Sequence, residues 1–210
     1  MVRPMFVETV GASAPSTWAV VTLCVTLFAL FLLTACLICK KFYRDAGMFK
    51  HWPFYLSAAV GLILLLTFGT TITTVKGMIL TLLLLYASLS DLKYRRVPDC
   101  VFVMLLILAF VGFNQSNLIS MLAGALAVFI PQLATAVISS KRSLGGADIK
   151  VSTALAFMLG VEQGLFALII GLLLAVIGTL ISNEILGRSH KAPFALMPYL
   201  WIGATLAYMI

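Results

Sequence analysis

Long apolar runs alternate with short polar segments along most of the chain. Each run is long enough, or nearly so, to cross a hydrocarbon core of about 30 Å at about 1.5 Å per helical residue. Eight helices are predicted, over about Trp18–Cys39, Pro53–Val75, Gly77–Asp91, Asp99–Phe113, Leu118–Ser139, Ile149–Val161, Gly164–Leu186 and Phe194–Ile210. The pattern therefore predicts an all-α polytopic membrane protein with about eight transmembrane helices.

Basic residues mark every second loop between these runs. Twelve of the fourteen Lys and Arg residues lie in the first, third, fifth and seventh loops, counting Lys150 with the fifth. The other loops carry only Lys76, Glu162 and the uncharged turn 114–117. By the positive-inside rule the basic loops are cytoplasmic, so both termini are predicted outside a plasma (inner) membrane.

Three segments follow from this topology. We expect an extracytoplasmic arm over residues 1–16, and a helix pair with a short basic cytoplasmic loop over residues 17–76. A six-helix core is expected over residues 77–210.

The composition supports a lipid bilayer as the surroundings of the chain. It is 62% hydrophobic and 10% charged, against about 45–50% and about 25% in soluble domains. The net charge of +7 lies in short loops and does not indicate nucleic acid. Cys36 and Cys39 form the only Cys-x-x-Cys pair, whereas a zinc site needs four ligands, so neither metal nor cofactor is predicted.

Glycine recurs every seven residues in the seventh run. Gly164, Gly171 and Gly178 fall on one side of the predicted helix. Small residues at such positions let helix backbones approach closely in membranes. The spacing predicts a helix-packing seam.

Two carboxyl groups stand directly beside apolar runs. Asp91 ends the third run, and Asp148 lies between a basic, glycine-containing loop and the sixth run. Carboxylates this close to hydrocarbon are costly and indicate function. Two structural alternatives exist: Asp148 as a helix N-cap, and Asp91 in an ion pair with Arg95 one turn later.

The predicted topology puts both aspartates on the cytoplasmic side. Two carboxyl groups within hydrogen-bonding range cannot both ionise easily, so the pair shares one proton. The ionised member can then take a proton from water while the neutral member protonates a carbonyl oxygen. This is an arrangement for peptide-bond hydrolysis without a metal.

Two motifs carry a resemblance to a known family. The octapeptide Asp91–Pro98, Asp-Leu-Lys-Tyr-Arg-Arg-Val-Pro, resembles the first aspartate motif of the type IV prepilin peptidases, the GxGD-type membrane aspartyl proteases. The hexapeptide Gly145–Lys150, Gly-Gly-Ala-Asp-Ile-Lys, resembles their second motif, Gly-x-Gly-Asp-x-Lys. The resemblance implies a membrane aspartyl endopeptidase with Asp91 and Asp148 as catalytic residues. Its implied partner is a prepilin or pseudopilin whose basic leader is removed at the cytoplasmic face, in type IV pilus assembly or protein secretion.

The chain departs from the family pattern in three places, one of which is Asp99, where the family commonly has asparagine after the proline. Ala147 stands where the family has glycine, and alanine would be strained there if φ were positive. The loop Lys40–His51 is short and lacks the cysteines of larger members, so their methyltransferase activity is not implied.

Three further residues are candidates for substrate binding or for shaping the loop. Gly145 and Gly146 would let the loop approach an extended peptide closely. Lys150 lies two positions after Asp148, so on a helix the two side chains point to different sides. Lys150 would then contact lipid phosphate or the substrate backbone, or orient the helix.

Two other functions use the same residues. A proton-coupled transporter would use the carboxylates as a relay, but it favours acidic groups near the bilayer midplane and repeated halves. The middles of the predicted spans hold neither Asp nor Glu. An inactive component of a pilus assembly machine is the second alternative, and Ala147 is the one feature that favours it.

Overall fold

The structure, a computed structural model, describes residues 17–42, 52–138, 145–186 and 195–210. Over these ranges the chain forms eight α-helices and one short 3-10 turn, Gln115–Asn117, and no strand. The helices are α1 (Thr17–Phe42), α2 (Trp52–Phe68), α3 (Ile72–Tyr94), α4 (Asp99–Ala109), α5 (Leu118–Ile138), α6 (Gly146–Leu159), α7 (Val161–Leu186) and α8 (Met197–Met209). The predicted arm 1–16 and most of the basic loop 40–51 lie outside the described residues.

By length and composition, four of the described helices can cross a membrane. They are α1, α3, α5 with the 3-10 turn before it, and α7. The helices α2 and α4 are apolar but shorter. An all-α membrane protein is therefore supported, while the count of eight crossings and the outside position of both termini stay predictions.

The break between the second and third helices falls earlier than the sequence predicted. Gly69 adopts a left-handed backbone (φ +61°) just after α2 ends, a conformation that glycine accepts without strain. The hydroxyl of Thr71 then accepts a hydrogen bond from the N–H of Thr74 and caps α3. Because α3 begins at Ile72 and not at Gly77, Lys76 lies inside this helix. The boundary that we expected between the helix pair (17–76) and the six-helix core (77–210) therefore also falls within α3.

The helix α3 is the centre of the bundle. Of the 18 most apolar consecutive residues of α3, 56% are buried, against 11% of those of α1 and 22% of those of α7. Its apolar side packs into one core with α4, α6 (Gly146–Leu159) and α8. The largest fully buried side chains of that core include Leu84, Leu85, Leu105, Leu155, Leu200 and Trp201.

Glycines on α7 bring neighbouring helices into close contact. A Cβ atom on Gly164 would lie 2.8 Å from the Cα of Ala156 in α6, and one on Gly171 would lie 3.2 Å from the Cα of Leu200 in α8. Gly178 lies against the ring of a tyrosine in α8. The seam predicted from the seven-residue spacing is confirmed.

Candidate active site

Asp91 lies one turn before the end of α3 and is buried, with 8% of its surface exposed. Its Oδ2 accepts a hydrogen bond of 3.3 Å from the backbone N–H of Met197, the first residue of α8. The N–H groups of a first helical turn have no partner inside their own helix, and the helix dipole there favours negative charge. The start of α8 is therefore a favourable place for the Asp91 carboxyl group.

The chain turns sharply after Asp91 and carries the basic residues outward. Arg95 ends α3 in a left-handed conformation (φ 55°), and its N–H donates to the backbone oxygen of Asp91. Ser90 holds the turn by donating to the backbone oxygen of Arg96 at 2.7 Å. Lys93, Arg95 and Arg96 are all exposed. Arg95 interacts electrostatically with Asp91, which agrees with the structural alternative of a local pair between these two residues. The Asp91 carboxyl group, however, also accepts a hydrogen bond from the start of α8.

Asp148 is the third residue of α6 and not its N-cap, which is Gly145. The sequence placed the start of this helix at Ile149, three residues too late. The backbone N–H of Gly145 interacts with the Asp148 carboxyl group, as in a capping box. A Cβ atom on Gly145 would lie 3.1 Å from the Oδ2 of Asp148, tighter than an ordinary contact. Glycine at this position thus leaves room for the carboxyl group beside the backbone.

The other two residues of this segment have ordinary surroundings. A Cβ atom on Gly146 would meet nothing within 4 Å. Ala147 lies in the first turn of α6 and is not among the described residues with positive φ. The strain considered for alanine at this position is therefore absent.

The structure brings Asp91 and Asp148 together from separate helices. Their carboxyl groups lie close enough to interact electrostatically, across the ends of α3 and α6. Among the described residues no group of three His, Cys, Asp or Glu side chains is arranged to hold a metal ion. The site is a carboxyl pair at one end of the bundle, beside the first turn of α8.

The side chain of Lys150 pairs with Asp99 of α4 and not with Asp148. Its Nζ lies 2.9 Å from the Oδ1 of Asp99, the first residue of α4. Both side chains are largely exposed, and exposed ion pairs contribute about 0–1 kcal/mol. Lys150 thus connects α6 to α4. The sequence did not indicate Asp99 as its partner.

A buried polar contact beneath Asp148 was missed at the sequence level. Gln132 of α5 is 6% exposed, and its Oε1 lies 2.7 Å from the Oγ of Ser152 in α6. The same Oγ lies 2.7 Å from the backbone oxygen of Asp148. A lone amide inside an apolar span was the available signal, because polar groups in such surroundings need partners.

The orientation of the Gln132 amide follows from counting protons. The Ser152 hydroxyl has one proton and cannot donate to two oxygens. As placed, the Nε2 of Gln132 is buried and has no partner among the described residues. With the amide nitrogen and oxygen exchanged, Nε2 donates to the Ser152 hydroxyl and that hydroxyl donates to the backbone oxygen of Asp148. This chain of hydrogen bonds connects α5 to the first turns of α6.

Ser152→Ala is expected to lower the free energy of unfolding by about 1–3 kcal/mol, because it leaves the buried Gln132 amide without its partner. The double variant Gln132→Leu/Ser152→Ala should regain part of that loss, since both polar partners are then replaced by apolar groups. Unfolding of the detergent-purified variants measures both effects. The single variant Gln132→Leu completes the comparison. If the double variant lost at least as much free energy of unfolding as the two single variants together, the proposed contact would be contradicted.

The fold and the site define a class: a helical membrane protein with a pair of carboxyl groups, one buried and one partly exposed, at one end of its bundle. Residues 78–180, which contain both aspartates, match the model of the type IV leader peptidase family. This stretch of the chain is similar to that family, and the match bears out the resemblance drawn from the two motifs. The family consists of peptidases of the aspartic type. No curated protein and no solved structure matches the chain.

Proposed function

We propose that the protein is a membrane aspartyl endopeptidase that removes the basic leader of type IV prepilin-like proteins, with Asp91 and Asp148 as its catalytic pair. The observation that carries the proposal is the electrostatic interaction between these two carboxyl groups, which come from α3 and α6. The family match supports a leader-peptidase function for the same stretch of chain.

The proposed mechanism follows from the pairing of the two groups. Like charges this close disfavour double ionisation, so one carboxyl group keeps its proton. The ionised group takes a proton from a water molecule, and that water attacks the carbonyl carbon of the scissile bond. The neutral group donates its proton to the carbonyl oxygen, and the leaving amine is protonated as the carbon–nitrogen bond breaks.

The two aspartates have different surroundings. Asp91 is the more buried and accepts a hydrogen bond from the start of α8. Asp148 is partly exposed and follows the exposed Gly145 and Gly146, which lack side chains that would block a peptide. We place the extended leader of the substrate along these two glycines, while Lys150 orients α6 through its contact with α4.

The location of the site is proposed from charge. The exposed Lys93, Arg95 and Arg96 follow Asp91 directly, and basic loops favour the cytoplasmic side. We therefore propose a multi-pass protein of the plasma (inner) membrane whose site opens to the cytoplasm. The first two helices pack against α3, and residues 77–210 hold the proposed peptidase core. The apolar helix of the prepilin would lie in the bilayer beside the enzyme.

The test is co-expression of the full chain with a small protein that carries a basic leader, a glycine and an apolar run. Cleavage is expected to give a shortened product whose new N-terminus follows the leader, as read by mass spectrometry. Several matched substrates without any shortened product would contradict the proposal. A transporter or an inactive assembly component would then be favoured.

A further inference from the structure

A cavity lies at the end of the bundle away from the aspartates. It has a volume of about 410 Å³, opens to the surface, and is lined by the start of α3, the turn after α4, the start of α5, the end of α6 and the start of α7. Lys76 of α3 is part of its wall, and along the helix Lys76 lies about 22 Å from Asp91 at about 1.5 Å per residue. A second cavity of about 360 Å³ shares Lys76, Asn117 and Gln163 with the first. These cavities are separate from the candidate active site.

The wall of the larger cavity carries one positive and one negative side chain, Lys76 and Glu162. The described residues contain a single ion pair, between Lys150 and Asp99, so Lys76 and Glu162 do not pair with each other. Neither side chain has a hydrogen bond to a described residue. A partly buried ammonium beside apolar side chains is costly unless it has a counter-charge. The cavity wall thus holds the partly buried ammonium of Lys76 and the exposed carboxylate of Glu162, and one ligand that carries both charges can contact each of them.

The rest of the lining is amphipathic. Asn114, Asn117 and Gln163 supply amide groups that can both donate and accept hydrogen bonds. Met121 and Met158 are among the apolar side chains of the wall. The helices α3 and α7, both long enough to cross a membrane, have their first turns here. A cavity at this level lies where lipid headgroups lie against a membrane protein.

We propose that this cavity binds the headgroup of a phospholipid that carries a primary ammonium group, as in phosphatidylethanolamine. Lys76 contacts the phosphate, Glu162 contacts the ammonium, and the amides bond to the remaining oxygens. Ile72, which lines the second cavity and is 63% exposed, offers an apolar surface to an acyl chain. The site is independent of peptide cleavage.

The proposal is tested by native mass spectrometry of the detergent-purified full chain titrated with phosphatidylethanolamine or phosphatidylglycerol. Lys76→Gln should weaken binding of both lipids about tenfold, because each loses a charged hydrogen-bond donor to its phosphate. Glu162→Gln should weaken phosphatidylethanolamine about tenfold and leave phosphatidylglycerol unweakened, since only the former has an ammonium group. Lys41→Gln is the matched control: it removes a lysine from the last turn of α1, and it should bind both lipids like the parent chain.

Three outcomes would overturn the proposal. The first is equal binding of the two lipids by the parent chain. The second is a Lys76→Gln variant that binds phosphatidylethanolamine as tightly as the parent chain or the Lys41→Gln control. The third is full displacement of the lipid by an equal concentration of inorganic phosphate, which would identify a site for the free ion.

Discussion

Asp91→Asn and Asp148→Asn are each expected to lower the rate of leader cleavage on the order of 10²–10⁴-fold, the range that general acid–base groups contribute. Asparagine keeps the shape of the side chain but can neither take a proton from water nor donate a carboxyl proton. The shortened product, quantified over time in detergent or in vesicles, measures the loss. Thermal unfolding of the same variants shows whether they remain folded.

The matched control removes a third carboxyl group at the same end of the bundle. The Asp99 side chain is 78% exposed and pairs with Lys150. Asp99→Asn should therefore slow cleavage by less than about fivefold, since an exposed ion pair contributes at most about 1 kcal/mol. The double variant Asp91→Asn/Asp148→Asn should lose little more than either single one, because groups that act as a unit are not additive. A folded single variant that cleaves like the parent chain would refute the proposed pair.

Much of the bundle was predictable because apolar runs and helices coincide in a membrane protein. The helix α5, Leu118–Ile138, matches the predicted run Leu118–Ser139 within one residue. The spacing of the glycines on α7 predicted the face of this helix that packs against its neighbours, because only small residues allow such close contacts between helices.

Errors arose where one polar turn interrupts continuous hydrophobicity. The run from Pro53 to Val75 contains no charge, and its division depends on the left-handed backbone of Gly69 and the cap at Thr71. These are local backbone features that composition does not reveal. The start of α6 at Gly146 was missed for the same reason, because Gly145 caps the helix without a side chain.

Contacts between distant parts of the chain were the least predictable. The motifs identified Asp91 and Asp148, but no sequence pattern indicated that Met197 would donate to Asp91. That contact depends on where α8 packs against α3 and α7, which is a property of the whole bundle. The pairing of Gln132 with Ser152 depends in the same way on the packing of α5 against α6.

The packing of α8 leads to the second prediction: Gly203→Val is expected to lower the free energy of unfolding by about 3 kcal/mol, the upper end of typical overpacking costs. Gly203 lies against the backbone of α7. A Cβ atom there would overlap the backbone oxygen of Ala167 and lie 2.8 Å from the N of Gly171. Backbone atoms cannot rotate aside, so α8 must move away from α7.

The same displacement should reach the candidate active site, because Met197 at the start of α8 bonds to Asp91. We therefore expect leader cleavage by Gly203→Val to fall even at temperatures where the variant remains folded. Leu206→Val is the control: it places the same side chain on the same helix at a position that is 45% exposed. It should unfold within about 1 kcal/mol of the parent chain, as volume-changing substitutions away from a packed core do. If Gly203→Val unfolded and cleaved like Leu206→Val, the close contact between α7 and α8 would not hold Met197 in place beside Asp91.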